Sequence, residues 1–584
     1  MNHSEITTNT EKAKLIWDNA EILRGKFSAY EYGHVILPMT VIKRLHDCLL
    51  PTRDAVIDFI ESEKANRFKE ADENYFFAIT EITGYPFYNT SKFTFESLLS
   101  DPANIEENFK DYISGFSQNI IEIINLFDFY HTIDHIIKHK ALYYIIKEFN
   151  SKKGYLGPDK INTTDCGNIF ENLIYRFQAS TGTQGGDFFT SSDVVELMSR
   201  LAIIDANIKN DDVLSVYDMT AGTGQMLNVT EDAIHKFFPD VKVLLYGQEV
   251  NPKTCAIAKA DMLIKNKDCK KISNGNTLTE DYFPNHKFDI IMSNPPFGVD
   301  WRTEKPFVLE EEKKGFNGRF GPGHPPVSDG QMLFTLNGIS KLSENGHMYI
   351  IQSCSPLFKD DDGSNNIRKY IIENDLLNAV IALPKNLFYN TPIQPTIWCV
   401  CKNKASHRKG KIQIINASEC FEKHKKSVGK KQVGLNEACL NIITKAYESF
   451  ESKEYIDGNL YIESKVFNNE DFGYTKVTVE TPVCDENGKP ILKKGKRQPV
   501  KSKSDIEIIP LTEDVDEYIK KNVFPYNPLA YLDRSKDRIS YEIPLTKCFY
   551  KYQKPEATDD ILSKIINLEN EISVSLQNLF NKEG

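Results

Sequence analysis

The sequence predicts an α/β protein, with a mainly parallel β-sheet covered by helices, an all-helical segment before it and an extension after it that ends in a helix. Three patterns carry that reading. Between about residues 160 and 415, apolar strand-like runs (VLSVYDM, VLLYGQE, FDIIMS, HMYIIQS, NAVIALP) alternate with helical periodicity, as expected of strand–helix–strand units. Earlier, from about residue 11 to 150, apolar residues recur at helical spacing. Later, Ile561, Ile565, Leu568, Ile572, Leu576 and Leu579 fall three and four apart, the stripe of one amphipathic helix.

The N-terminal segment opens on MNHSEITTNTEKAK, polar and without the apolar core of a secretion signal. Leu15, Trp17, Ile22 and Leu23, then Val35, Ile36, Met39, Ile42 and Leu45, mark its first helices. The run NIIEIINLFDFYHTIDHIIKHKALYYIIKEF continues them until Gly154 and Pro158 punctuate its end. Past the alternating region, residues 475 to 510 read as an exposed β-hairpin or loop, with Asp485, Asn487 and Gly488 as turn formers. The expected domains are 1–155, helical; 156–415, the α/β sheet; 416–556, an extension; and 557–584, the terminal helix. A chain of 584 residues is too long for one typical domain.

With 40% hydrophobic and 26% charged residues, the composition is that of an ordinary soluble globular protein. No run of about 18 apolar residues appears, so no membrane span is expected and the expected compartment is the cytoplasm. The 11 cysteines are scattered, and the one close pair, Cys399 and Cys401, has the wrong spacing for a zinc knuckle, so no metal is expected. The net charge of −11 gives no general attraction for phosphate. Two local runs, Lys423–Lys431 (KHKKSVGKK) and Lys493–Lys503 (KKGKRQPVKSK), are basic, and each reads either as a phosphate contact or as a solvated loop.

In SVYDMTAGTGQML a strand ends at Asp218 and a glycine-rich turn follows. Gly222 and Gly224 flank Thr223 and let the backbone turn tightly against a ligand without Cβ interference. The next helix offers free N–H groups suited to a carboxylate such as that of a methionine moiety. Position 227 is Leu, so the loop departs from the dinucleotide pattern Gly-x-Gly-x-x-Gly. In VLLYGQEV, Glu249 stands at the next strand end, where its two oxygens suit both ribose hydroxyls. Asn276, in SNGNTL, ends a third unit and reads either as a contact to an adenine ring or as a plain turn residue.

In FDIIMSNPPFG an apolar strand runs into Asn294-Pro295-Pro296-Phe297. Two prolines cannot continue a central strand, and strand carboxyl ends border the ligand crevice of an open parallel sheet. The stiff tetrapeptide suits an exocyclic amine such as adenine N6, whose lone pair is delocalised into the ring. Two acceptors aimed at its N–H bonds, the Asn294 carboxamide oxygen and the Pro295 carbonyl, would draw the nitrogen toward sp³ and localise that pair. Phe297 offers a face to a base swung out of a duplex. The competing reading is a buried turn with an aromatic plug.

Asp218 to Gly224, Glu249 and Asn294 to Phe297 together resemble the adenine-N6 DNA methyltransferases. IWDNAEILRGKFSAYEYGHVILPMTVIKRLHD is similar to the N-terminal helical domain of the modification subunits of type I restriction–modification systems. GGDFFTSSDVVELM resembles their segment before the glycine loop, and NAVIALPKNLFYNT, DFGYTKVTVETP and RISYEIPLTKCFYKY resemble further segments. The resemblance implies a seven-stranded, mainly parallel Rossmann-like methyltransferase sheet using S-adenosylmethionine. It adds Asp187, Phe188, Phe189, Thr190, Ser191 and Ser192 to a cofactor set of Asp218, Gly222, Thr223, Gly224, Glu249 and Asn276. Ser191 stands where the family usually has proline, and Asn276 where many members have aspartate.

The resemblance further implies methylation of adenine N6 in double-stranded DNA, with the target read by a separate specificity subunit that two modification subunits join. An ATP-dependent restriction subunit is a further possible partner. That division of labour explains the acidic charge. The terminal helix reads as packing on its own chain or as docking on helices of the specificity subunit. Two other readings stand beside this one: a protein glutamine or RNA methyltransferase, and a catalytically silent scaffold of a defence complex.

Overall fold

The computed structural model describes residues 27, 29–62, 73–151, 154–162, 165–166, 169–170, 172–173, 190–209, 212–388, 391–428, 430–486, 488–493, 495–551 and 557–580. The chain divides into two compact units, Met1–Ile543 and Pro544–Gly584. Helices from Ala29–Leu49 to Leu142–Phe149 build the N-terminal segment of the first unit. Val35, Ile36, Met39, Ile42 and Leu45 are buried, in one hydrophobic core continuous with the sheet that follows. Leu15, Trp17, Ile22 and Leu23 lie outside the described residues. A buried Lys43–Asp47 pair at 2.6 Å lets Asp47 accept the Leu156 N–H at 2.7 Å, which pins the end of the helical segment to its first described helix.

The main sheet contains β1 (Val213–Asp218), β2 (Lys242–Glu249), β3 (Ile272–Asn274), β4 (Phe288–Ser293), β5 (Leu342–Ser353), β6 (Leu377–Ala382), β7 (Pro395–Cys401) and β8 (Lys411–Asn416). After the hairpin β9 (Glu422–Val428) and β10 (Lys431–Gly434) come β11 (Lys453–Asp457) and β12 (Leu460–Asn468). The main sheet has ten strands in the order β11-β12-β8-β6-β7-β5-β4-β1-β2-β3. This corrects the expectation of a seven-stranded sheet. The run β3-β2-β1-β4-β5 is parallel, and β7 enters antiparallel to both β5 and β6. Beyond β6 the sheet continues because β8 is another buried apolar run, parallel to β6. The hairpin β11–β12 then adds two antiparallel strands. The outermost strand, β11, exposes Lys453, Glu454, Ile456 and Asp457, and charge of this kind discourages edge-to-edge pairing.

Residues 473 to 541 form a second, four-stranded sheet of β13 (Gly473–Glu480), β16 (Asp505–Pro510), β17 (Tyr531–Leu532) and β18 (Arg538–Tyr541). The small hairpin β14 (Leu492–Lys493) and β15 (Lys496–Arg497) lies between β13 and β16. The span 475–510, expected as one exposed hairpin or loop, therefore begins and ends in paired strands that bury Val477, Val479 and Ile509. The turn at its tip has Gly488 at φ +74° and a Gly488 N–H to Asp485 carbonyl bond of 3.0 Å; Asn487 lies outside the described residues. Arg368, 1% exposed, fastens this sheet by donating to the carbonyls of Tyr541 (2.6 Å), Pro356 (3.0 Å) and Lys359 (2.8 Å).

The second unit contains helix Thr558–Phe580, close to the expected span. Its stripe residues Ile561, Ile565, Leu568 and Ile572 are exposed; the side chains of Leu576 and Leu579 lie outside the described residues. No helix among the described residues is long and apolar enough to cross a membrane.

Candidate active site

Strands β1 and β4 are parallel neighbours, Val216 beside Ile290 and Tyr217 beside Ile291. That register sets the glycine loop after β1 next to the Asn-Pro-Pro-Phe turn after β4. A shared polar cluster joins them. Asp218, 2% exposed, accepts from the Thr220 N–H at 2.9 Å and the Ser293 hydroxyl at 3.1 Å. The Thr220 and Ser293 hydroxyls lie 2.8 Å apart. Burial pushes the Asp218 carboxyl up to about 7, with Glu249 adding repulsion and the two hydrogen bonds opposing the rise.

Gly222 and Gly224 both adopt the left-handed conformation, at φ +54° and +79°. A Cβ on Gly222 would meet nothing within 4 Å, so the backbone there faces an open cradle. Gly224 caps helix Gln225–Phe237, whose first turn carries no acidic residue. Thr223 is buried beside it.

Glu249, at the end of β2, uses both oxygens to fix that loop. Oε2 accepts from the Gly222 N–H and Oε1 from the Asn251 N–H, each at 2.8 Å. Burial raises its carboxyl against these two bonds and a third from the Thr254 hydroxyl. A carboxylate has about four acceptor positions, so with the Thr254 hydroxyl also bonded to it the group keeps capacity for one further hydroxyl donor.

Asn276 follows β3. Its oxygen accepts from the Leu278 N–H and its amide donates to Glu304, both at 2.9 Å. The turn is further tied to the glycine loop by the Thr277 hydroxyl on the Met219 carbonyl at 2.6 Å. Both ends of the Asn276 side chain are thus engaged by this chain.

The tetrapeptide leaves β4 with Asn294 and Pro295 buried and Pro296 and Phe297 half-buried. The Asn294 amide donates to the Thr190 hydroxyl at 3.0 Å. Its carboxamide oxygen, also buried, has no hydrogen-bond partner among the described residues. An unpaired buried acceptor costs about 1–3 kcal/mol, and a site that is to receive a donor has reason to keep one. Phe297 meets Phe388 edge-on, ring centres 6.4 Å apart at 83°.

Ser191 caps helix Ser192–Asp205 beside Thr190. Asp187, Phe188 and Phe189 lie outside the described residues. Cys399 and Cys401 are buried within β7. The sequence marks Thr190 as a cofactor contact but gives no sign that it orients Asn294, because the two stand 104 positions apart. Ser293 and Thr220 carry no signal of their own in the sequence, although each adjoins one of the motifs.

Two family models match the chain. N-6 DNA Methylase covers residues 162–476 and HsdM N-terminal domain covers residues 12–149. The MpnII methylase subunit of a type I restriction enzyme from Mycoplasma pneumoniae is 32% identical over 46% of this chain and 49% of its own length. The MjaIX methylase subunit from Methanocaldococcus jannaschii is 23% identical over 77% of this chain and 79% of its own. The chain thus spans about half the length of the first of these relatives and most of the second. A solved type I restriction-modification methyltransferase subunit from Streptococcus thermophilus has the same fold, with a TM-score of 0.60 at 23% identity, covering 80% of this chain and 97% of the other.

Proposed function

Because this chain belongs to the N-6 DNA methylase family, we propose that it transfers a methyl group from S-adenosylmethionine to adenine N6 in double-stranded DNA, as the modification subunit of a type I restriction–modification complex. The observation that carries this is the Asn294 carboxamide. Its amide is held by Thr190 while its oxygen stays buried and unpaired beside the glycine loop. The Gly222 cradle, the helix start at Gln225 and the acidic end of β2 fit the cofactor. Gly222, Thr223 and Gly224 would hold its methionine end, Glu249 its ribose, and Asp218, Asn276 and the 187–192 segment the rest of its outline.

Bound there, S-adenosylmethionine supplies an electrophilic methyl group on a sulfonium. The chain's own part is to prepare the nucleophile. Asn294 accepts one N–H of the target amine through its carboxamide oxygen and Pro295 accepts the other through its carbonyl. With both N–H bonds engaged, the N6 lone pair would be localised toward the methyl; N6 would take the methyl as its bond to sulfur breaks, leaving a neutral thioether, and the surplus N6 proton would pass to solvent. Pro295 and Pro296 keep the two acceptors from relaxing apart. Phe297, already braced by Phe388, stacks on the extruded base.

The units proposed to share this labour are a helical segment, 1–155; a sheet region that begins at 156 and, through β8, β11 and β12, runs past the expected boundary at 415; the rest of the extension to 556; and the terminal helix, 557–584. A specificity subunit joined by two copies of this chain reads the target, with docking through the exposed stripe of helix Thr558–Phe580, and an ATP-dependent restriction subunit completes the assembly. The HsdM N-terminal match over residues 12–149 favours this over a protein glutamine or RNA methyltransferase and over a silent scaffold. Sequencing host DNA for modified adenines tests the reading. N6-methyladenine at a defined motif should appear only when the chain and its specificity subunit are both present, and an unmodified genome with both expressed would refute it.

Phe297→Ala should lose stacking on the flipped base, about 1–3 kcal/mol by the usual scale for a single stacked base. The loss should appear in the affinity for target DNA while cofactor affinity holds. Phe297→Trp should keep most of the activity. Equal rates for the Ala and Trp variants would show that the ring only plugs the turn against Phe388.

A further inference from the structure

We infer that the β9–β10 hairpin is a phosphate-binding arm, through which this chain itself grips the DNA backbone beside the crevice. The inference rests on the reading of the crevice as a DNA-methylating site and adds the surface that holds the duplex there. Residues 423–431 hold five lysines and a histidine in nine positions, in a chain whose net charge is −11. Against that background, a local cluster of positive charge is where phosphates are attracted.

The placement distinguishes this run from an ordinary solvated loop. On one side, the Gln432 N–H donates to the Asn386 carbonyl at 3.0 Å, two residues before the Phe388 that braces Phe297. On the other, Lys431, 6% exposed, donates to the Ser191 hydroxyl and reaches both oxygens of Asp193 at 3.2 Å. The Leu435 N–H also donates to Asp193, at 2.7 Å. Ser191 adjoins Thr190, the residue that orients Asn294. The hairpin is therefore fastened to the flanks of both catalytic residues, Asn294 and Phe297.

One lysine of the run is consumed in that fastening. Lys423 and Lys430 remain exposed on the same hairpin, and Lys385 is exposed on the loop that carries Asn386 and Phe388. A duplex delivering a flipped adenine to Asn294 must bring its own sugar–phosphate chain past this rim. Ammonium groups on a short, anchored hairpin would meet that chain without reading its sequence, as phosphate contacts do.

The test is a salt titration of a short mixed-sequence duplex against the full chain in complex with its specificity subunit. The wild type is compared with Lys423→Gln/Lys430→Gln and with Lys385→Gln. Affinity should fall about tenfold per lysine removed near ~50 mM salt, and the slope of log affinity against log salt should flatten by roughly one for each phosphate that the arm no longer neutralises. Binding of S-adenosylmethionine by calorimetry should not change. An unchanged slope with cofactor binding intact would overturn the inference and leave the methyltransferase reading standing. A wild type that binds no cofactor would bring down that reading itself. Loss of the specificity subunit from the double variant, with the slope unchanged, would make the hairpin a protein interface and equally overturn the inference.

Discussion

Asn294→Ala is expected to lose methyl transfer by on the order of 10²- to 10³-fold, while S-adenosylmethionine binding stays within a few fold of wild type. The magnitude follows from what a single preorganised polar contact to developing charge is worth in a water-poor site, about 10² to 10³ in rate. The alanine also removes the group against which the Pro295 carbonyl works. The split between the two readouts comes from the structure. The Asn294 side chain bonds to Thr190 and not to the glycine loop, so its loss leaves the Gly222–Glu249 contact in place. Asn294→Asp supplies the finer comparison. It keeps an acceptor oxygen but cannot donate to Thr190, so it should retain partial activity with a raised KM for DNA. An alanine variant that methylates at near the wild-type rate would remove Asn294 from the chemistry.

Gly222→Val is expected to abolish cofactor binding. At φ +54° a β-branched residue pays roughly 1–2 kcal/mol of backbone strain, and its methyls would project into the open cradle where the ligand backbone must come. Glu249→Ala should weaken binding by about 1.5–3 kcal/mol, the scale of a hydrogen bond to a charged group. Part of that loss would arise through the loop, since Glu249 also holds the Gly222 N–H. Titration by calorimetry decides the matter, and unchanged isotherms for both variants would place the cofactor elsewhere. A Gly222→Ala variant, strained but short, should fall between them.

The sequence showed the elements of the site where function depends on a contiguous stretch. The glycine loop, the acidic end of β2 and the tetrapeptide each announce themselves within a few residues, because each must turn the chain sharply at a strand end. The strands β1, β2, β4, β5 and β6 were legible because each carries a short, mostly buried apolar run, although β5 opens on the polar and partly exposed LSEN. The sheet's far edge was not. In β12, LYIESKVFN, apolar and polar residues mix because the strand lies next to the edge, and β11 has one buried residue in five. Neither shows the pattern that marks the central strands. Contacts across long separations were also hidden, since nothing in TSSD says that its threonine holds an asparagine 104 positions away. Lys431 read as one more lysine of a basic run until the fold buried it on Asp193.

The Asp218 cluster has a consequence for how the protein exchanges protons with its surroundings. A carboxyl raised to about 7 is partly neutral near neutral pH in the free protein. Because the folded value lies above the unfolded one of about 3.9, this group favours the folded state most at low pH. That contribution is lost as pH rises from about 4 through 7. Under the proposed placement, the cofactor brings its own ammonium and sulfonium cations to the crevice, and nearby cations favour the ionised form. Cofactor uptake near neutrality should then expel a fraction of a proton from beneath the glycine loop. The heat of binding should therefore differ between buffers in proportion to their ionisation enthalpies, and the difference should vanish above about pH 8 or on Asp218→Asn.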